Sequence, residues 1–284
     1  MQRGALLMIS SALAFSAMTV FVKLAGERLP SQEIVFARAL ISLVLSYALI
    51  RRAGLSPWGK DRKWLWFRGL LGFAGLSCVY GAVTHLPLAE ATVLQFLHPP
   101  ITALLAGFFL GETISRRTVG ASVLSLVGVV LVARPSILFG EAATPLDPFW
   151  VGVALGGAFF SASAYVVVRR LSSSEDPLVI VFYFPLITVP AALPALTNQF
   201  VWPVGLEWLW LLGVGIATQI GQVSLTRGLG WLPASRGTAL SYLQVVFAAI
   251  WGLLVFGDQP DELTILGGGF VIASSLWVAR ERGT

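Results

Sequence analysis

Hydrophobic positions in this chain come in long unbroken blocks separated by short polar stretches. Ten blocks stand out, near residues 4–22, 33–50, 64–83, 89–110, 118–133, 149–168, 178–196, 207–226, 234–256 and 263–279. Most approach the ~20 residues that a helix needs to cross the hydrocarbon core of a bilayer. One or two such runs would fit the interior of a soluble protein; ten in succession, joined by short connections, do not. The pattern predicts an all-α integral membrane protein with ten transmembrane helices, since helices satisfy their own backbone polar groups in lipid. The first block follows Arg3 and contains Ala12-Leu13-Ala14, which resembles a signal-peptide cleavage site. Its apolar run continues to Val22, and its end, TVFVK, is echoed 146 residues later as YVVVR. It is therefore expected to be a retained span.

That echo belongs to a longer one. The stretch from Pro87 to Glu112, PLAEATVLQFLHPPITALLAGFFLGE, returns at the same offset as PASRGTALSYLQVVFAAIWGLLVFGD, from Pro233 to Asp258. Lys23 matches Arg169, Gly69 matches Gly215, Gly75 matches Gly221 and Leu86 matches Leu232, while Arg134 and Arg280 close the two halves. The expected division is residues 1–140 and 141–284, integrated in one membrane domain. Each half holds five blocks, an odd number, so the second half enters the membrane inverted relative to the first. Two inverted five-helix repeats around a central cavity are the architecture of secondary transporters, which bind their cargo near the bilayer midplane.

Polar positions inside the blocks are the candidates for such a site. Gln95 and His98 are three apart and share a helix face. Their repeat equivalents, Ser241 and Gln244, are polar too, which favours a cavity face. Gln219 and Gln222 form a similar pair with Thr226, and Tyr80 stands at the Thr226-equivalent position. Tyr242 lies beside the Ser241–Gln244 face, and Ser163 marks the sixth block. Together these residues offer neutral donors and acceptors with aromatic surfaces, suited to a zwitterionic or polar ligand with an apolar side chain. The competing reading of each is an interhelical hydrogen bond worth about 0.6 to 2 kcal/mol. Pro99 and Pro100 remove two backbone donors and are expected to bend the helix after Leu97, as a candidate hinge. They have no proline counterparts in the ninth block, so that hinge is expected to be asymmetric. His98 is also weighed as a proton carrier, because imidazole titrates near neutral pH.

Composition agrees with this picture. Hydrophobic residues make up 56% and charged residues 12% of the 284, about half the charge of a typical soluble domain, and the mean hydropathy is +0.82. The single Cys78 excludes an intramolecular disulfide. The net charge of +5 reflects bases flanking the blocks, which points to membrane topology rather than to nucleic acid. With a cytoplasmic N-terminus, only Lys23, Arg28, Arg38 and Arg134 of the 19 Lys and Arg residues fall on the outer side. Both termini are therefore expected in the cytoplasm. Trp58, Trp64 and Trp66 read as headgroup anchors on that side, and Trp202, Trp208 and Trp210 as the outer belt. There is no G-x-x-x-x-G-K-[ST] loop, no H-E-x-x-H and no G-x-S-x-G, and the two histidines do not form a metal pattern. The chain is not expected to be an enzyme or to need a cofactor or metal.

Ten spans as five plus five, with the fourth of each half closing on Gly111-Glu112 and Gly257-Asp258, resemble the drug/metabolite transporter superfamily. The preceding segments, LPLAEATVLQFLHPPITALLAGFFLGE and LPASRGTALSYLQVVFAAIWGLLVFGD, resemble its EamA-type modules, and within it the bacterial aromatic amino acid exporters. The resemblance implies that spans 1, 3, 4, 6, 8 and 9 enclose the cavity. It also implies export of small metabolites, commonly amino acids. The expected partners are such a substrate and the lipid bilayer, and the expected site is a bacterial inner membrane; the oligomeric state is left open, a monomer being compatible with it. Cationic drugs would call for a buried acid, which is not evident. Sugar nucleotides or phosphate esters would call for several bases in the cavity, and only Arg38 lies well inside a block.

Overall fold

Inside lipid the apolar blocks have no water to bond and close their hydrogen bonds along themselves. The computed structural model describes residues 2–140, 146–196 and 200–280. Ten helices in it are long and apolar enough to cross a membrane. In order these spans are Gln2–Ala25, Ser31–Arg52, Arg62–His85, Leu88–Leu110, Arg116–Ala133, Pro148–Leu171, Pro177–Pro194, Glu207–Trp231, Ala234–Phe256 and Glu262–Arg280. There is no strand among the described residues. Most helices outrun their apolar blocks by a few residues, because polar ends still satisfy helical hydrogen bonds at the headgroup level.

The fourth and ninth spans are interrupted. The fourth is helical over Leu88–Gln95 and again over His98–Leu110, with Pro99 and Pro100 in the first turn of the second piece. A proline there loses little, since first-turn amides have no intrahelical partner. The ninth span runs Ala234–Ala239, tightens to a 3-10 turn at Leu240–Tyr242, resumes over Leu243–Trp251 and ends in a π turn at Gly252–Phe256. Phe96 and Tyr242, at the two breaks, are repeat equivalents. An irregularity thus recurs in register without proline, but not in the same form: the proline-bearing fourth span leaves helix at Phe96-Leu97, whereas the ninth stays helical through its 3-10 turn. The Tyr242 hydroxyl donates to the Phe96 carbonyl at 3.0 Å, and the two rings stack at 5.7 Å. One equivalent residue thus satisfies a carbonyl that the other's break leaves open.

Both spans end alike. Gly111 and Gly257 take left-handed backbone, φ 64° and 73°, a conformation that costs other residues a steric clash. The amides of Glu112 and Asp258 then bond back to the carbonyls of Ala106 and Gly252, at 3.3 and 3.1 Å. That closure satisfies the last helical carbonyls and fixes where each carboxylate emerges.

Packing between spans follows a pseudo-twofold relation. The first span lies along the eighth and the third along the sixth, contacts that exchange when the halves are exchanged. The first meets the ninth as the fourth meets the sixth, and the second pairs with the seventh and the fifth with the tenth. The relation holds at single residues. A side chain begun at Gly69 would lie 2.4 Å from Ile187, and one at Gly215 would lie 2.4 Å from Ile41, the equivalent pair. Gly75 lies against Ser161 as Gly221 lies against Phe15. Small residues let these helices approach closely, which is how packing holds spans together in lipid. The outer faces, including Leu104, Phe108 and Leu254, stay exposed and apolar, as a lipid-facing surface requires.

Candidate functional site

Between the halves lies a cavity of about 170 Å³. The first, third, fourth, sixth, eighth and ninth spans all line it, and the second and seventh add Arg38 and Phe184. Among the residues singled out from sequence, Gln95, His98, Gln222, Ser241 and Gln244 reach this space. The breaks at Phe96 and Tyr242 turn their helices beside the cavity. His98 is buried, 5.3 Å from the Tyr165 ring, and its Nδ1 has no protein partner.

Four other residues from that set lie elsewhere. Gln219 is buried between helices, where its amide exchanges hydrogen bonds of 3.1 and 2.9 Å with Ser46. Tyr242 is fully buried at the crossing of the two broken spans. Tyr80 lines a separate space of about 270 Å³ with Gln32, Thr84 and Ala192, and its side chain also interacts with Arg38 of the cavity. Ser163 bonds the Phe159 carbonyl and faces an apolar groove formed with Trp64, Phe67 and Phe109. A helix turns 100° per residue, so neighbours three apart can still divide between cavity and packing seam, as Gln222 and Gln219 do.

The strongest charges at the cavity are Arg38 and Arg68. Arg68, counted from sequence only among the cytoplasmic-side bases, is buried to 3% exposure, and Arg38 to 9%. Arg68 donates through Nη2 to Gln222 at 3.1 Å, whereas its Nε and Nη1 have no protein partner, nor does Nε of Arg38. Both guanidiniums share one aromatic ring: their carbons lie 5.2 Å (Arg68) and 6.0 Å (Arg38) from the centre of Phe184. Phe184 occupies the repeat position equivalent to Arg38, and Val214 that of Arg68. The cavity is therefore twofold in outline and one-sided in charge, both cations coming from the first half. No Asp or Glu lines it among the described residues, and no metal-binding cluster occurs among them. Gly72 makes the arrangement sterically possible; a side chain there would lie 2.8 Å from Phe184 and 3.1 Å from Arg68.

Two ion pairs related by the repeat stand at opposite ends of the bundle. At the end where both the first span begins and the tenth finishes, Arg169 Nε meets Glu112 Oε1 at 2.8 Å. Glu112 Oε2 also accepts the Ala234 amide at 2.7 Å, and Arg169 Nη1 donates to the Leu229 and Gly230 carbonyls, 3.1 Å each. At the other end the equivalents Lys23 and Asp258 stand 3.7 Å apart, with side chains 59% and 67% exposed. Lys23 rests on the Phe256 ring there. Nearby, Arg28 bonds Glu207, whose carboxylate holds the guanidinium above its ordinary pKa.

A multi-pass bundle of inverted halves around a partly polar cavity, with mirrored ion pairs at its ends, is the build of a membrane transporter. Comparison with known proteins agrees. The EamA-like transporter family matches residues 2–134 and again 148–280, two segments offset by the same 146 positions, and the chain belongs to this family. It is 34% identical to the "Pseudopaline exporter CntI" of Pseudomonas aeruginosa, over 99% of this chain and 98% of that one. It is 29% identical to human "Solute carrier family 35 member G1", covering 95% of this chain and 76% of that one. With the "S-adenosylmethionine uptake transporter" of Rickettsia felis it shares 26% identity, over 94% and 89% of the two chains. One crystal structure superposes with a TM-score of 0.83 at 20% identity, covering 98% of this chain and 96% of the other. At that identity the likeness speaks for the fold alone.

Proposed function

We propose that this chain is a secondary carrier that exports an amino acid or similar small metabolite across a bacterial inner membrane, with both termini in the cytoplasm. Alternating access between the inverted halves moves the cargo. The observation that carries this reading is the unequal closure of two equivalent ends. Glu112 and Arg169 tie the fourth, sixth, eighth and ninth spans together at the terminal end, while Lys23 and Asp258 meet loosely in solvent. Exchange of these two conditions between the halves would open the cavity to the terminal end and shut the other. An inverted repeat suits such an exchange, since each half carries the sequence equivalents of the other half's contacts.

The amides of Gln95, Gln222 and Gln244 and the hydroxyls of Ser11, Ser161 and Ser241 supply neutral hydrogen-bonding groups. The rings of Phe15 and Phe184 supply apolar surface, and a guanidinium suits the cargo's carboxylate. Cationic drugs fit poorly, for the lining offers two cations and no acid. The relatives' names include an exporter and an uptake transporter, so they support carriage rather than a particular direction or cargo. The test is counterflow of labelled amino acids and related metabolites into liposomes holding the purified chain, without ATP. Saturable exchange is expected; no flux for any member of a broad panel would sink this reading.

A further inference from the structure

We propose that Arg38 and Arg68 form a paired oxyanion site, and that the cargo is a small organic anion whose carboxylates outnumber its amines. The proposal rests on the carrier reading above and narrows it. A guanidinium is retained in a low-dielectric interior only where charge or hydrogen bonding compensates its lost hydration. Here two lie at one cavity, buried to 9% and 3% exposure. Three of their donor nitrogens lack a hydrogen-bond partner among the described residues. The four ion pairs among the described residues use other bases. Their neighbours are neutral: Arg68 donates to the Gln222 amide and lies over Phe184 beside Tyr165, and Arg38 interacts with the Tyr80 hydroxyl.

A purely structural role would pair these bases with carboxylates, as Arg169 is paired. A neutral zwitterion would neutralise one guanidinium and bring an ammonium to a lining without Asp or Glu. A ligand with two carboxylates meets both forks, and its carbon backbone lies along the Phe184 ring that the arginines share. The Nδ1 of His98, also without a protein partner, adds a further polar contact at the same cavity. The cavity's size of about 170 Å³ accommodates a compact molecule.

The experiment measures ligand-induced thermal stabilisation of the full chain in detergent, followed by counterflow in liposomes. The probes are L-malate, L-glutamate, L-glutamine, putrescine and glycerol 3-phosphate. Malate and glutamate are expected to protect and to exchange at concentrations at least about tenfold below those for glutamine, with putrescine inactive. Protection by glycerol 3-phosphate but not malate would replace the carboxylate with a phosphate ester and overturn the stated class. Arg38→Gln and Arg68→Gln should each abolish anion protection. Arg38→Lys and Arg68→Lys keep the charge, guard against misfolding, and should weaken binding by about tenfold because the planar fork is lost. Saturable flux that prefers glutamine or putrescine overturns the anion assignment and leaves the carrier reading standing. Anion protection lost in both Gln variants, without flux of any probe, overturns the carrier reading and leaves the anion site.

Discussion

The two ends of this bundle are built from the same repeated sequence, yet the equivalent ion pair is tight at one end and exposed at the other, where Arg28–Glu207 and Arg134–Asp261 pair separately. At the terminal end all six residues of Ala234–Ala239 are buried, and the start of that helix donates its Ala234 amide to Glu112. At the far end the equivalent opening of the fourth span buries only Glu90 and Ala91. Arg169 reaches a carboxylate and two carbonyls; Lys23 reaches a solvent-exposed carboxylate and an aromatic face. Sequence equivalence therefore fixes which residues meet at each end, while the conformation decides how tightly. The difference teaches that the tight closure is a network rather than a pair, because exposed ion pairs alone are worth little.

The largest effect should come from the tight end. Charge reversal by Arg169→Glu or Glu112→Arg is expected to cut counterflow at least about hundredfold, and the double swap to recover part of it. Arg169→Ala strands a partly buried carboxylate. It should shift the balance of end states by about 2 kcal/mol, below the 3–5 typical of fully buried pairs, or about thirtyfold. Next come the packing glycines. Gly69→Ala and Gly215→Ala each force a methyl against an isoleucine, and each should lower stability by about 1–3 kcal/mol in thermal unfolding. Widely unequal values would break the twofold account.

Smaller again is Tyr242→Phe, which frees the Phe96 carbonyl at the crossing and should cost about 1 kcal/mol. Gln219→Ala should cost about 0.6 kcal/mol of stability with cargo affinity unchanged, whereas Gln222→Ala should weaken affinity with stability kept. The smallest effect belongs to Lys23→Ala and Asp258→Ala: below about 1 kcal/mol, and vanishing in high salt.

Much of the fold was legible in the sequence because its signals are long or periodic. Ten apolar blocks, an offset of 146 and a Gly-acid close to each fourth span survive any local ambiguity. The site was only half legible. Gln222 and Gln219 differ in the neighbour that each helix face meets, and spacing along one helix does not name that neighbour. Arg68 sits near the start of its span, where a base ordinarily reaches for headgroups; its long side chain instead turns inward, over Phe184. Repeat logic also hid the arginines, since their equivalents are Phe184 and Val214 and matched polarity was the guide. The break in the ninth span carries no proline, so its only signal was its equivalence to Phe96-Leu97.

The comparison of tight and exposed ends can be read directly by labelling a cysteine in the cavity. In a Cys78→Ala background, Ser241→Cys places a thiol on the cavity wall, and a membrane-impermeant maleimide is applied from each side of oriented vesicles. The account predicts modification from the far end only, access from both ends once Glu112→Ala is added, and no change with Asp258→Ala. Modification from the terminal end in the Ser241→Cys chain alone, or an unchanged pattern with Glu112→Ala, would contradict it.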